Sequence, residues 1–111
     1  MADKPLIWMG SSLHDIRLFP DDARRIAGRQ LHLVQQGSNP SDWKPMPSIG
    51  LGINEIRVRT GREHRVVYAA KFVEGVYVLH VFEKKTRKTA ARDLELARTR
   101  WREVLAGRLK G

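Results

Sequence analysis

The spacing of apolar residues changes along the chain, and each change marks an element. Pro5-Leu6-Ile7-Trp8-Met9 is a short apolar run that reads as a first strand, with Pro5 at its start where no ladder donor is needed. Ser11 or Ser12 then caps a short helix that turns Leu13, Ile16 and Phe19 inward, and Ser12-x-x-Asp15 resembles a capping box with Asp in place of Glu. Pro20-Asp21-Asp22 starts a second helix, since Pro suits the first turn and acids suit the positive end of the helix dipole. Ala23, Ile26, Ala27, Leu33 and Val34 share one face of it, and Gly37 ends it.

Pro40, Pro45, Pro47 and Gly50 make the stretch from Gly37 to Gly52 a loop, which Trp43 and Met46 pack down. Three strands follow over Asn54–Arg59, Arg62–Ala70 and Val76–Glu83, separated by turns at Thr60-Gly61 and Glu74-Gly75. Thr89 caps a last helix with Leu94, Ala97, Trp101 and Val104 in one stripe. The order β-α-α-β-β-β-α predicts an α+β fold: an antiparallel meander with helices against one face. At 111 residues the expectation is one domain over 1–111.

Charge sharpens this picture. The net charge is +9, and residues 84–111 hold ten cations against three anions, so +7 of the excess lies in the last quarter. Such a balance calls for an acidic partner: nucleic acid, an anionic surface or an acidic protein. The chain has no cysteine, which excludes disulfides and thiolate metal sites. No apolar run approaches the roughly 18–20 residues of a membrane span, and no signal-peptide core is visible, so the expectation is a cytoplasmic protein with no membrane partner.

The last strand runs directly into Lys84-Lys85-Thr86-Arg87-Lys88-Thr89, so part of the charge sits at the rim of a sheet rather than on a tail. If Glu74-Gly75 is a two-residue turn, Arg65 lies opposite Lys84 and Val67 opposite Phe82. If the preceding loop is Thr60-Gly61-Arg62, Arg57 lies opposite Arg65; if it has two residues, His64 takes that place. A row of Arg57, Arg65 and Lys84 is self-repelling and needs a compensating group. A phosphate is one such group, and Glu55, Glu63 and Glu83 are others. His80 shares the Val78/Phe82 face by alternation, where it is either a satisfied core histidine or a functional one; His14 and His32 read as surface residues. Trp101 reads as core, and Trp43 as core or as a base-stacking surface.

No HExxH, no GK[ST] phosphate loop, no paired acids at ligand spacing and no local Ser-His-Asp signature occur. What remains is phosphoryl chemistry without a metal or other cofactor. In RNA the 2′-OH can attack its own neighbouring phosphate, and Arg and Lys can stabilise the charge that develops.

Trp43-Lys44-Pro45-Met46-Pro47-Ser48-Ile49-Gly50, Asn54-Glu55-Ile56-Arg57-Val58-Arg59, His64-Arg65-Val66-Val67-Tyr68, the run Tyr77–Thr89 and Asp93–Arg98 together resemble the HigB-type, phage-derived branch of the RelE/ParE toxin superfamily. The resemblance covers nearly the whole chain and keeps the order of the motifs. It implies a RelE-like sheet with two N-terminal helices, and the toxin of a type II toxin–antitoxin pair. Such toxins are typically ribosome-dependent endoribonucleases that cut mRNA under translation, neutralised by a small helix-turn-helix (HigA-like) antitoxin. By position it places Arg57, Arg65 and Lys84 at the scissile phosphate, with His80 beside them, while their charge makes Lys85, Arg87, Lys88 and Arg59 the groups expected to dock on RNA and the ribosome. Two departures stand out: Ala90 occupies a place where the family commonly has Pro, and there is no clear acid–base residue such as a terminal Tyr. Two other functions fit the same residues: a ParE-like poison that binds DNA gyrase, and a non-toxic basic nucleic-acid-binding module.

Overall fold

The computed structural model describes residues 3–110. Its elements are β1 (Leu6–Trp8), α1 (Ser12–Arg17), α2 (Asp21–Gln35), β2 (Trp43–Pro45), β3 (Ile53–Arg59), β4 (Glu63–Ala69), β5 (Val76–Glu83) and α3 (Ala91–Lys110). They form an α+β fold around one sheet with strand order β1-β5-β4-β3-β2. The meander β3-β4-β5 is antiparallel, and β1 lies parallel beside β5 at the far edge. Among the described residues no helix is long and apolar enough to cross a membrane.

Helices cover both faces of the sheet, not one. α1 and α2 bring Ile16, Phe19, Ala23, Ala27, Leu31 and Val34 against Ile56, Val58, Val66, Tyr68, Val76, Val78 and Val81. On the other face α3 brings Ala97, Trp101 and Val104 against Ile53, Val67, Ala69, Leu79 and Phe82. The cause is legible in β4, where Val66, Val67, Tyr68 and Ala69 are all buried: a continuous apolar run belongs to a strand covered on both sides. Each of the two valines stabilises the fold by roughly 1.5–3 kcal/mol relative to exposure.

The stretch read as a loop contains an edge strand. Trp43, Lys44 and Pro45 pair with Ile56, Glu55 and Asn54, and Pro45 is tolerated because this strand has only one neighbour. The β3–β4 register has Arg57 opposite Arg65, as a loop over Thr60-Gly61-Arg62 requires. Gly61 sits in that loop at φ 93°, a left-handed conformation that favours glycine.

The β4–β5 register differs from that of a two-residue turn. Residues 70–75 all lie in the connection, Arg65 faces Phe82, and Val67 faces His80. Tyr68 then pairs with Val78, leaving Leu79 as a bulge without a partner. The bulge breaks the alternation of β5. Val78 faces α2, while Leu79 packs under α3 and His80 bonds to it. His80 therefore does not share the face of Val78, as strict alternation predicts.

Candidate functional site

Opposed residues of an antiparallel ladder point to the same side, so the register arranges the α3 face in rows. One row runs Lys44, Glu55, Val67, His80; the next runs Arg57, Arg65, Phe82. A third has Arg59 opposite Glu63, and Lys84 beside Glu63 through its backbone N–H, which donates to the Glu63 carbonyl at 2.7 Å. Lys84 thus lies one row beyond the place opposite Arg65 that a two-residue turn implies. α3 covers the apolar end of this face through Ala97, Trp101 and Val104. The charged rows lie beyond its first turn.

The compensating groups for the Arg57/Arg65 row are carboxylates of the chain itself. The Arg65 side chain is only 5% exposed; its Nη2 donates to Glu63 Oε1 at 2.9 Å, its Nη1 to the His64 carbonyl at 3.1 Å, and its Nε lies 3.4 Å from Glu55 Oε1. Arg57 donates through Nε to Asp42 Oδ1 at 2.9 Å, and Arg59 Nε approaches the other oxygen of Asp42 at 3.4 Å. A phosphate is not needed to hold this row together. Glu83, the third acid available to it, instead pairs with Arg62.

Glu55 is the unusual member. Its side chain is 1% exposed, and its Oε2 is buried without a hydrogen-bond partner. Burial raises its pKa above the usual carboxylate range, against the opposing pull of Arg65, Lys44, Lys84 and Arg57. A buried carboxylate among four cations, with one oxygen lacking a hydrogen-bond partner, is a candidate functional group.

His80 sits in a closed network. Its Nε2 lies 2.7 Å from Asp93 Oδ1, and its Nδ1 lies 3.2 Å from Arg100 Nη1. A guanidinium can only donate, so Nδ1 accepts and Nε2–H donates to Asp93. Burial is the main cause of its lowered pKa, opposed by Asp93. Its ring stacks on Phe82 with centroids 5.1 Å apart. Arg100 also donates to the carbonyl of Leu79, the bulge residue, and to Ser11 Oγ. Gly10, at φ 55°, admits this guanidinium: a Cβ there would lie 2.3 Å from Arg100 Nε. Both nitrogens of His80 are thus engaged, and it ties the start of α3 to β5. With both ring nitrogens bonded within the chain, His80 has no nitrogen open to a substrate in this arrangement.

Lys85, Arg87 and Lys88 are exposed on the segment between β5 and α3, and Lys84 is half-buried at its root. Thr86 Oγ1 donates to the Lys88 carbonyl at 2.7 Å and folds this segment on itself. Across from it stands the segment 44–48, so Lys44 joins the cations expected from sequence. Among the described residues, no group of three or more His, Asp or Glu has the arrangement of a metal site.

Glu55, Asp42 and Lys44 are functional candidates that the sequence reading did not single out. A signal existed for the first: alternation puts Glu55 on the same face as Arg57. Asp42 and Lys44 depend on β2, which the surrounding prolines conceal.

Comparison with curated proteins gives no match. The model of the family described as "Phage derived protein Gp49-like (DUF891)" matches residues 14–102, a span that includes the whole meander and most of α3. The chain belongs to this Gp49-like, phage-derived family, which is of the RelE toxin type.

Proposed function

We propose that the protein is the toxin of a type II toxin–antitoxin pair and a metal-independent endoribonuclease that cuts mRNA on the ribosome. The observation that carries this reading is the set of rows on the α3 face, where Lys44, Arg57, Arg65 and Lys84 surround a buried carboxylate, one of whose oxygens has no hydrogen-bond partner. Glu55, buried in the free protein, is uncovered in this scheme when RNA binds, and then takes the proton from the 2′-OH as that oxygen attacks the adjacent phosphorus. The bond from phosphorus to O5′ breaks, and the ammonium of Lys84 gives that oxygen its proton. The products are a 2′,3′-cyclic phosphate and a 5′-hydroxyl end. Arg57 has its Nε on Asp42 and turns its Nη nitrogens to the phosphorane charge. Arg65 holds Glu55 in place from behind and is a positioning residue in this scheme.

The basic segment 84–88, with Arg59, docks on RNA, with the salt sensitivity of counterion release. The partners proposed are the ribosome with its mRNA, in the cytoplasm, and a helix-turn-helix antitoxin. Inducible expression with mapping of transcript 5′ ends tests the reading. New ends within translated frames are expected for the wild type and not for Arg57→Ala, with both proteins folded. DNA damage without transcript cleavage would instead identify a gyrase poison, and neither outcome would leave a basic binding module.

A further inference from the structure

A groove of about 430 Å³ separates the segment 44–48 from the segment 84–89. Its size falls in the range of roughly 300–1,000 Å³ that small-molecule sites occupy. Four cations line it, Lys44 on one wall and Lys84, Arg87 and Lys88 on the other, and no carboxylate does. Apolar surface from Pro45, Met46, Pro47 and Leu94 lies between them.

The walls are built rather than loose. Met46 is 7% exposed; its N–H donates to the Ile53 carbonyl at 2.8 Å, and its own carbonyl accepts from Ile49 N–H at 3.0 Å. Arg98 of α3 donates to the Ser48 carbonyl at 3.1 Å, which ties the first wall to the helix. Thr89, two residues before the long helix α3 begins, lines the same space near the positive end of the helix dipole.

Cations at the rims around an apolar floor match the chemistry of one unstacked nucleotide, with its phosphates outward and its base inward. We propose that this groove binds a nucleotide of single-stranded RNA next to the phosphate that is cut, with Lys44, Arg87 and Lys88 on the phosphates and the base over Met46 and Leu94. The proposal rests on the RNA-cleaving reading, because Lys44 and Lys84 are shared between the groove and the surroundings of Glu55. The groove would hold the strand in register so that one particular phosphate meets Glu55.

Binding can be measured separately from cleavage with a labelled, fully 2′-O-methylated RNA oligonucleotide, which lacks the attacking hydroxyl. The anisotropy titration is run on the intact protein over a range of salt. Lys44→Ala and Lys88→Ala are each expected to weaken binding about tenfold at low salt, and each to lower the salt slope by about 1. Arg24→Ala and Arg29→Ala, on exposed positions of α2, are expected to change neither. With wild-type protein, an oligonucleotide carrying a single abasic position is expected to bind about fivefold more weakly at one register and normally at the others. Wild-type binding by both lysine variants, no abasic effect at any register, or displacement of RNA by polyglutamate at equal charge concentration would each overturn the groove proposal. Groove binding without transcript cleavage in cells would sink the nuclease reading alone. Cleavage with no role for Lys44 or Lys88 would sink the groove alone.

Discussion

The two faces of the sheet are built from alternate residues of the same strands, and they do different work. Ile56, Val58, His64 and Val66 point to α1 and α2 and pack around Phe19, whose ring lies 4.4 Å from that of His64. Their neighbours in the chain, Glu55, Arg57 and Arg65, point to the α3 side and form a charged array beyond the helix. The first face anchors the strands; the second uses that rigidity to hold like charges together. Such an array is tolerable because its acids and bases neutralise each other locally and because the opposite face fixes the backbone beneath them.

The charged face is most vulnerable at Arg65. Arg65→Met leaves Glu55 buried without its nearest partner and is expected to cost about 3–5 kcal/mol in urea unfolding at neutral pH. Because burial already raises the Glu55 pKa, the folded state gains a proton as pH falls, so this deficit should shrink in acid. Adding Glu55→Leu should recover most of the loss, while a pair that contributes nothing would leave both variants near wild type.

On the opposite face, Ile56→Ala should destabilise by about 2–5 kcal/mol through the cavity it leaves. Its cleavage should survive at temperatures where it remains folded. Arg57→Ala should show the reverse, with cleavage reduced about 10²–10³-fold in a protein whose unfolding midpoint moves little.

The smallest effect concerns pH. Burial lowers the pKa of His64 below its ordinary 6.5, and that of His80 likewise, so both favour the neutral ring when folded. Their contribution is present above pH 6.5 and is lost as pH falls through the lowered values. His64→Leu should flatten part of the acid side of the stability curve without altering cleavage, and an unchanged curve would remove His64 from that role.

Most of the fold is legible in the spacing of apolar residues. The two N-terminal helices, the three strands of the meander and the stripe of α3 all follow from periodicity, and Arg57 opposite Arg65 follows from the length of the 60–62 loop. The site is less legible for three physical reasons. The connection 70–75 is longer than its Glu74-Gly75 dipeptide suggests, because Phe72 folds back to stack on Trp101, and this moves Lys84 from Arg65 to Glu63. A bulge at Leu79 inverts the face of His80, and nothing in an unbroken β-branched and aromatic run marks where a bulge falls. Finally, Asp42 and Lys44 reach the array only through β2, a three-residue edge strand whose single neighbour lets it contain a proline.

In the proposed reaction the charged half of the α3 face cuts RNA with Glu55 as the base. Glu55→Gln tests it most directly, since the amide keeps the shape of the carboxylate and cannot take the proton. Time courses of transcript 5′ ends after induction should show cleavage about 10²–10⁴-fold slower than wild type, with the unfolding transition still cooperative. Cleavage at the wild-type rate by folded Glu55→Gln, or no new ends from the wild type itself, would contradict it.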